Sequence, residues 1–204
     1  MSDRVRDGNA DGKLLPFRRV HGTTAELSDR ALVSAVAQGD QAALGALFDR
    51  FHRDVYRFVS GLARGVDADD FVQMTFLEAH HSAPRFRGDS QVKTWLFGIA
   101  VNLVRHALRG DQRKTRATEG LAGVPAAPPL DAGATLDHEQ RRRWVAAAVE
   151  SLTPALREAY VLCVIEEMAG KDAAAVLGIR EASLWRRLSD AREALRHAIE
   201  EMQR

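Results

Sequence analysis

Apolar residues recur at three- and four-residue steps along most of the chain, which is the pattern of amphipathic α-helices. The longest apolar stripe follows Asp40, an aspartate that can cap a helix by accepting hydrogen bonds from its first backbone amides. Its apolar positions are Leu44, Leu47, Phe48, Phe51, Val55, Phe58, Val59 and Leu62. Arginine and aspartate lie between them, so that one face is apolar and the other polar. The sequence contains no convincing strand pattern, and it predicts an all-α fold.

Three shorter helices are predicted around this one. The first begins at Ser28 or Asp29, and another is capped by Asp67. The last begins after Ser90, which can cap it, and ends at Gly110. The four helices have short connections, and together they predict a small helical domain.

Composition divides the chain into four segments. Residues 1–27 lack helical periodicity and predict a flexible tail, and residues 28–112 form the first helical domain. Residues 113–139 contain a stretch of Gly, Ala and Pro that favours a linker. Helical periodicity returns over residues 140–204, where a Thr153-Pro154 pair predicts a helix start. The expected architecture is two small helical domains joined by a flexible linker.

A helix, a tight turn and a second helix are predicted between Lys171 and Arg192. Gly178 stands at the turn, where glycine can adopt positive φ. The core between these helices is expected to contain Ala174, Val176, Leu177, Ile179, Leu184 and Leu188. Long polar side chains on the exposed side could reach phosphates and base edges in a major groove. These are Arg180, Ser183, Arg186 and Arg187, with Trp185 nearby. The alternative is an ordinary surface helix with solvated arginines.

The helix after Asp67 carries a candidate docking face for another protein. Asp70 and Gln73 stand three residues apart and therefore share one side of the helix, beside the apolar Phe71 and Val72. An alternative, compatible role for Asp70 is to complement the helix dipole in the first turn.

A loop of arginine, phenylalanine, glycine and aspartate follows, and the next helix opens with lysine, threonine and tryptophan. Aromatic faces stack on unpaired bases for roughly 1–3 kcal/mol per base, and a loop between helices can receive a flipped base. The candidate residues of this surface are Phe86, Arg87, Ser90, Lys93, Thr94, Trp95, Asn102 and Arg105. Trp95 has a rival role as a wedge between helices.

The order of these motifs resembles that of a bacterial sigma-70 family factor of the extracytoplasmic-function (ECF) type. Residues 69–76 and 85–96 resemble its region 2, and the helix-turn-helix, with the lead-in Leu152-Thr-Pro-Ala-Leu-Arg-Glu, resembles its region 4. The resemblance covers roughly residues 29–112 and 144–199. The resemblance implies that Asp70 and Gln73 dock on the β′ clamp helices of RNA polymerase. It implies that Phe86 and Asn102 read bases of the −10 element, and that the second domain holds the −35 duplex. The implied partners are core RNA polymerase through its β′ and β subunits, promoter DNA and an anti-sigma factor.

The chain departs from the family pattern at several positions. Ala169-Gly170 stands where the family often has a serine or threonine cap, and Met74 replaces a common glutamate. Trp185 and Arg186 replace the usual lysine or arginine and serine, respectively. Because these reading residues differ, the family's −35 preference does not carry over to this chain.

Composition limits the function further. The chain has 29 Lys and Arg against 28 Asp and Glu, a net charge of +1, so DNA affinity must come from local basic patches. A single cysteine, the lack of a signal peptide and the lack of a long apolar run indicate a cytoplasmic protein without membrane insertion. The histidines lack metal-ligand spacing, as shown by the adjacent pair His80-His81, and no catalytic motif is evident. We therefore expect no metal, no cofactor and no enzymatic activity.

Two other function classes fit parts of the pattern. An autonomous helix-turn-helix regulator would bind DNA tightly without polymerase, as a dimer on a palindrome. A helical adaptor would bind protein alone. The lack of a dimerisation heptad argues against the regulator, and the basic recognition helix argues against the adaptor.

Overall fold

The computed structural model describes residues 27–62, 67–118 and 146–202, and all regular structure in these ranges is helical. The N-terminal unit contains helices α1 (Asp29–Ala37), α2 (Gln41–Leu62), α3 (Ala68–Ser82) and α4 (Val92–Thr118), with a 3₁₀ turn at Ala83–Arg85. The C-terminal unit contains α5 (146–151), α6 (Pro154–Tyr160), a π-helical segment (Val161–Ile165), α7 (Gly170–Leu177) and α8 (Glu181–Met202). Most of the predicted tail and linker lies outside the described residues.

Helices α1, α2 and α3 begin at the capping residues that the sequence predicts. Ser28 Oγ, Asp40 Oδ1 and Asp67 Oδ1 accept hydrogen bonds from backbone amides of the first turns, at 2.9 to 3.4 Å. These bonds satisfy amides that have no partner within the helix. The predicted caps at Asp40 and Asp67 are confirmed, and so is the predicted start of α1, where Ser28 is the cap.

The predicted boundaries of α4 were wrong at both ends. The helix begins at Val92, so Gln91 rather than Ser90 precedes it, and the Gln91 carbonyl accepts from the Trp95 amide at 3.1 Å. It continues past Gly110 to Thr118. An isolated glycine weakens a helix by about 1 kcal/mol relative to alanine, and good helix formers on both sides can carry the helix through it.

The N-terminal unit has an aromatic core. Phe58 on α2 and Phe97 on α4 are fully buried, with centroids 4.1 Å apart and ring planes 8° from parallel. Phe48 and Phe76 meet edge to face at 4.9 Å. Such pairs contribute about 0.5–1.5 kcal/mol beyond the area they bury. These ring pairs fix α3 and α4 against α2.

The C-terminal unit has a smaller, aliphatic core. The predicted core is confirmed, with Ile179 partly buried and its other members buried. Gly178 adopts φ 66, and the Ile179 amide donates to the Ala174 carbonyl at 3.1 Å. This left-handed cap turns the chain from α7 into α8. The predicted helix-turn-helix is therefore present, although α8 extends beyond Arg192 to Met202.

The two units pack against each other. Helix α4 contacts α7, α2 contacts α6 and the π-helical segment, and buried apolar residues of both units form one cluster. Arg157 on α6 donates to the Leu152 carbonyl at 2.9 Å and, across the boundary, to the Leu62 carbonyl at 3.0 Å. Burial lowers the pKa of Arg157. The absence of a side chain on Gly61 matters here, since a Cβ would lie 3.2 Å from Val161 Cγ1.

Candidate nucleic-acid and protein interfaces

Helix α3 exposes a mixed polar and apolar stripe. Asp70 and Gln73 are exposed as predicted, whereas Phe71 is buried and anchors the helix. Met74 and Leu77 lie on the same side by helical spacing and are 44% and 58% exposed. Sequence analysis did not assign Leu77, although its spacing of seven from Asp70 places it on this face. The stripe has the chemistry of a protein-docking surface, and we call it the α3 face.

The loop after α3 is held by α1. Gly88 adopts φ 76, and its carbonyl accepts a hydrogen bond from Arg30 Nη2 at 2.7 Å. A pocket of about 350 Å³ lies between α1 and this loop, with Phe86 and Arg87 in its wall. Sequence analysis missed Arg30, because 58 residues separate it from its partner and no local pattern joins them. The loop therefore has a fixed shape and an adjacent cavity.

Phe86 and Trp95 lie side by side. Their ring centroids are 4.8 Å apart, the planes are tilted by 37°, and both rings pack partly on the buried cluster. The packing role considered for Trp95 is therefore real. The Trp95 side chain also lines the groove described next, so it both packs between helices and forms part of a cavity wall.

A groove of about 700 Å³ lies between α4 and the C-terminal end of α7. Five of the eight predicted −10 residues line it: Ser90, Thr94, Trp95, Asn102 and Arg105. Thr94 is buried at 5% exposure, whereas Asn102 is exposed. The opposite wall comes from residues 175–178 of the C-terminal unit. We call this cavity the α4 groove.

Arg105 connects the α4 groove to the C-terminal unit. Its Nε and Nη2 donate to the two carboxylate oxygens of Glu158 on α6 at 2.8 and 2.6 Å. The hydrogen bond to Glu158 is the main cause that raises the pKa of Arg105, while burial opposes it. Arg105 Nη1 also donates to the Leu177 carbonyl at 3.4 Å. The guanidinium is thus engaged by two elements of the other unit.

Lys93 has partners in both units. Its Nζ lies 3.3 Å from Asp54 on α2, 3.5 Å from Glu166, and 5.3 Å from the centroid of the Phe97 ring. Arg57 donates to both oxygens of Glu166 at 2.8 and 2.9 Å, and this hydrogen bonding is the main cause that raises the pKa of Arg57. The Glu166 side chain is fully buried. Asp54 and Glu166 were not predicted as partners, because nothing in their local sequence distinguishes them from solvated surface charges. Their pairing depends on the packing of the two units.

The second helix of the helix-turn-helix presents the predicted −35 residues. Arg180, Ser183, Trp185 and Arg186 are exposed and Arg187 is half-buried. Their positions on α8 leave them available to a major groove, and we call them the α8 face.

Trp185 is held in place at the edge of the α8 face. Its Nε1 donates to Glu181 Oε1 at 3.3 Å. Its ring lies against Gly170, where an added Cβ would fall 2.4 Å from Trp185 Cζ2 and 2.9 Å from Glu181 Oε1. The glycine and the tryptophan, both departures from the family pattern, are therefore sterically linked.

Among the described residues, no three His, Cys, Asp or Glu side chains are arranged to hold a metal ion. No described helix has the length and apolar character needed to cross a membrane.

The chain matches two known domain families, one in each helical unit. Residues 47–114 match the family described as Sigma-70 region 2, and residues 142–195 match Sigma-70, region 4. The chain is 34% identical over 182 residues to the Probable RNA polymerase sigma-C factor of Mycobacterium bovis, covering 84% of this chain and 94% of the relative. It is 29% identical over 185 residues to the ECF RNA polymerase sigma-E factor of Salmonella typhimurium, covering 86% and 96%.

A solved structure of a sigma factor is also similar. The sigma factor RpoE of Bartonella quintana, in complex with the anti-sigma factor NepR, matches with a TM-score of 0.62 and 26% identity. The match covers 75% of this chain and 94% of that one.

Proposed function

Because the chain belongs to the sigma-70 family, in its extracytoplasmic-function type, we propose that its two helical units divide promoter recognition between the surfaces described above. The chain is a sigma factor that binds RNA polymerase and directs transcription initiation. What we propose is which residues bind polymerase and which recognise promoter DNA. It assigns region 2 to residues 28–112 and region 4 to residues 140–204. The predicted start of the linker at residue 113 falls inside α4, which continues to Thr118.

The α4 groove is the proposed site of −10 strand capture. The observation that carries the assignment is the convergence of Ser90, Thr94, Trp95, Asn102 and Arg105 on one cavity. An unpaired strand needs stacking surfaces, base-edge donors and acceptors, and cations for phosphate, and this set supplies all three. The neighbouring pocket of about 350 Å³ at Phe86 and Arg87 is the proposed place for a flipped base.

The α8 face is the proposed −35 reader. Arg180, Arg186 and Arg187 can bind phosphates or guanine edges, and Ser183 can donate to or accept from a base. The exposed Trp185 offers an apolar surface to a thymine methyl group. A convex helix of this kind suits a duplex major groove.

The α3 face is the proposed contact with the β′ clamp of core polymerase, through Asp70 and Gln73 with Met74 and Leu77 beside them. Apolar side chains rimmed by polar ones are typical of protein interfaces. The contact with the β subunit, expected by resemblance, is part of the same proposal. The chain itself performs no catalysis in this scheme, and it acts in the cytoplasm, where the polymerase is.

An anti-sigma factor is the further proposed partner. The similar sigma factor of Bartonella quintana was solved with such a protein bound. A small inhibitory protein could act on this chain by covering the α3 face or the α4 groove.

Transcription with purified components tests the proposal. The chain and core RNA polymerase are combined on DNA from upstream of the chain's own gene, and specific transcript is measured. We expect transcript only when both components are present. Tight, specific binding of that DNA by the chain alone, without polymerase-dependent transcript, would support an autonomous regulator instead.

A further inference from the structure

We propose that Arg30 on α1 is a positioning and specificity-determining residue for −10 strand capture, although it lies outside the Sigma-70 region 2 match, which begins at residue 47. Arg30 holds the loop over residues 86–91, which we call the −10 loop, and it selects a flipped base that presents two adjacent hydrogen-bond acceptors. The inference rests on the proposed function of the pocket between α1 and this loop, which we call the loop pocket.

Helix α1 gives Arg30 a fixed base. Four residues of the helix are buried in the core: Leu32, Val33, Ala35 and Val36. Arg50 on α2 holds the beginning of the helix, because its Nη1 donates to Asp29 Oδ1 at 2.5 Å and to the Leu27 carbonyl at 3.0 Å. The backbone that carries Arg30 is therefore held both by packing and by hydrogen bonds.

Arg30 contacts the −10 loop at the point where the loop turns. Gly88 adopts φ 76 there, a left-handed conformation that strains a residue with a side chain. Arg30 Nη2 donates to the Gly88 carbonyl at 2.7 Å, and a Cβ added at Gly88 would lie 3.7 Å from Arg30 Nε. The guanidinium therefore lies against the turn as well as bonding to it. Because the two residues stand 58 positions apart, their hydrogen bond fixes the −10 loop relative to α1.

The same guanidinium contributes to the wall of the loop pocket. Arg30 and Arg87 both line the pocket and are both exposed, so a ligand can reach them. Among the described residues that line it, Ser34 offers a hydroxyl and none is acidic. The Gly88 carbonyl engages one guanidinium nitrogen of Arg30, and an arginine carries donors on all three of its nitrogens. The charged groups of this wall can thus donate hydrogen bonds but cannot accept them.

A wall of paired donors discriminates between the bases. Guanine presents N7 and O6 side by side as acceptors, and arginine binds this pair with two hydrogen bonds. Unpaired cytosine presents N3 and O2 side by side in the same way. Adenine and thymine place a donor next to each acceptor on their Watson–Crick edges, so a guanidinium makes only one hydrogen bond there. The loop pocket therefore favours guanine or cytosine, with the Phe86 ring in its wall as the apolar surface beside the base.

Hydrogen exchange tests the positioning role without polymerase or DNA. Mass spectrometry measures amide exchange over residues 86–91 in the full chain, for the wild type, Arg30→Ala, Arg30→Lys and Arg53→Ala. Arg53 is an exposed arginine on α2 and is the matched control. We expect exchange to be about fivefold faster in Arg30→Ala, because the −10 loop then opens more often. Arg30→Lys should stay close to the wild type, since its ammonium group can still donate to the Gly88 carbonyl. Arg53→Ala should match the wild type, and unchanged exchange in Arg30→Ala overturns the positioning role.

Strand selection tests the specificity role. The chain bound to core RNA polymerase selects from a pool of short single-stranded DNA of random sequence, and the bound strands are sequenced. The wild type should enrich guanine or cytosine at one position, and the base that is enriched identifies the edge that is bound. Arg30→Ala and Arg30→Lys should both reduce this enrichment about tenfold at that position alone, because lysine is a point charge without the paired donors of arginine. Arg53→Ala should leave the enrichment unchanged.

The outcomes separate positioning, selection and the proposed function. Faster exchange with unchanged enrichment in Arg30→Ala overturns the selection of a base by Arg30. An equal loss of enrichment at every position in Arg30→Lys overturns it too, because the substitution would then weaken strand binding as a whole. If the wild-type complex enriches no sequence, the proposed function of the loop pocket fails and base selection fails with it. The exchange measurement still decides the positioning role in that case, since it requires neither polymerase nor DNA.

Discussion

The two surfaces proposed to read DNA differ in shape and in accessibility. The α4 groove is concave, lies between helices and faces the other unit, whereas the α8 face is a convex helix on which most of the proposed contact residues are exposed. A groove suits an unpaired strand, because its side chains can stack on the bases. A convex helix suits a duplex, because it fits into the major groove. Residues 175–178 of the C-terminal unit line one wall of the α4 groove, whereas most residues of the α8 face are exposed to solvent.

The hydrophobic cores that support the two surfaces also differ, since one is aromatic and the other aliphatic. Stacked aromatic rings hold α4 rigidly against α2, and small aliphatic residues join α7 to α8. A groove depends on the spacing between several helices, so it needs a core that fixes that spacing. A recognition helix needs only to be attached at the correct angle. The following predictions test this contrast, beginning with the largest effect.

Phe97→Ala should be the most damaging of the substitutions considered. It removes a fully buried ring stacked on Phe58, and such truncations cost about 3–5 kcal/mol. Urea unfolding should show this loss, whereas the control Leu77→Ala, exposed on α3, should change stability by no more than about 0.5 kcal/mol. A loss below about 1 kcal/mol for Phe97→Ala would mean that the aromatic core does not set the stability of this unit.

Asn102→Ala and Arg186→Ala should separate the two readers. Asn102→Ala should reduce open-complex formation about ten- to a hundredfold with little change in core polymerase binding, and Phe86→Ala should act in the same direction. Arg186→Ala should weaken binding to −35 duplex by about 1–3 kcal/mol if it reads a base. Permanganate footprinting measures opening, and competition with another sigma factor measures polymerase binding. Equal loss of opening and polymerase binding in Asn102→Ala would contradict the division of roles.

Gly170→Ala should alter the α8 face specifically. The new Cβ would fall 2.4 Å from Trp185 Cζ2, so the indole must leave its position beside Glu181. We expect a several-fold loss of −35 duplex binding, about 1 kcal/mol, with −10 strand capture unchanged. Trp185→Ala should make the glycine substitution harmless, because the clash is then removed. A binding loss of equal size in the double variant would show that Gly170 acts through another contact.

Two glycine-to-alanine substitutions, one in each unit, should change the free energy of unfolding in opposite directions. Gly110→Ala lies within α4 with open space around the new methyl group, and should stabilise the chain by about 0.5–1 kcal/mol. Gly178→Ala forces alanine into φ 66 and should destabilise it by about 1–2 kcal/mol. Thermal unfolding of both variants gives the comparison. Stabilisation by Gly178→Ala would contradict the left-handed cap.

Local features of this fold could be predicted from the sequence, since their causes are local. The caps at Ser28, Asp40 and Asp67 and the turn at Gly178 each depend on residues within one helical turn. The end of α4 could not be placed, because Gly110 weakens a helix without obliging it to stop. The partners of Arg105 and Lys93 could not be found either. Those contacts depend on how the two helical units pack together, and the spacing of apolar residues along the chain does not predict that packing.

The hydrogen bond from Arg30 to the Gly88 carbonyl has a consequence for how this protein can be dissected. The Sigma-70 region 2 match begins at residue 47, so a fragment cut at that boundary would lack α1 and with it the hydrogen bond from Arg30 that supports the loop at Gly88. Such a fragment would keep most of the proposed contact residues while losing the support that shapes their loop. A fragment intended to preserve the shape of this loop should therefore begin before α1 and not at residue 47.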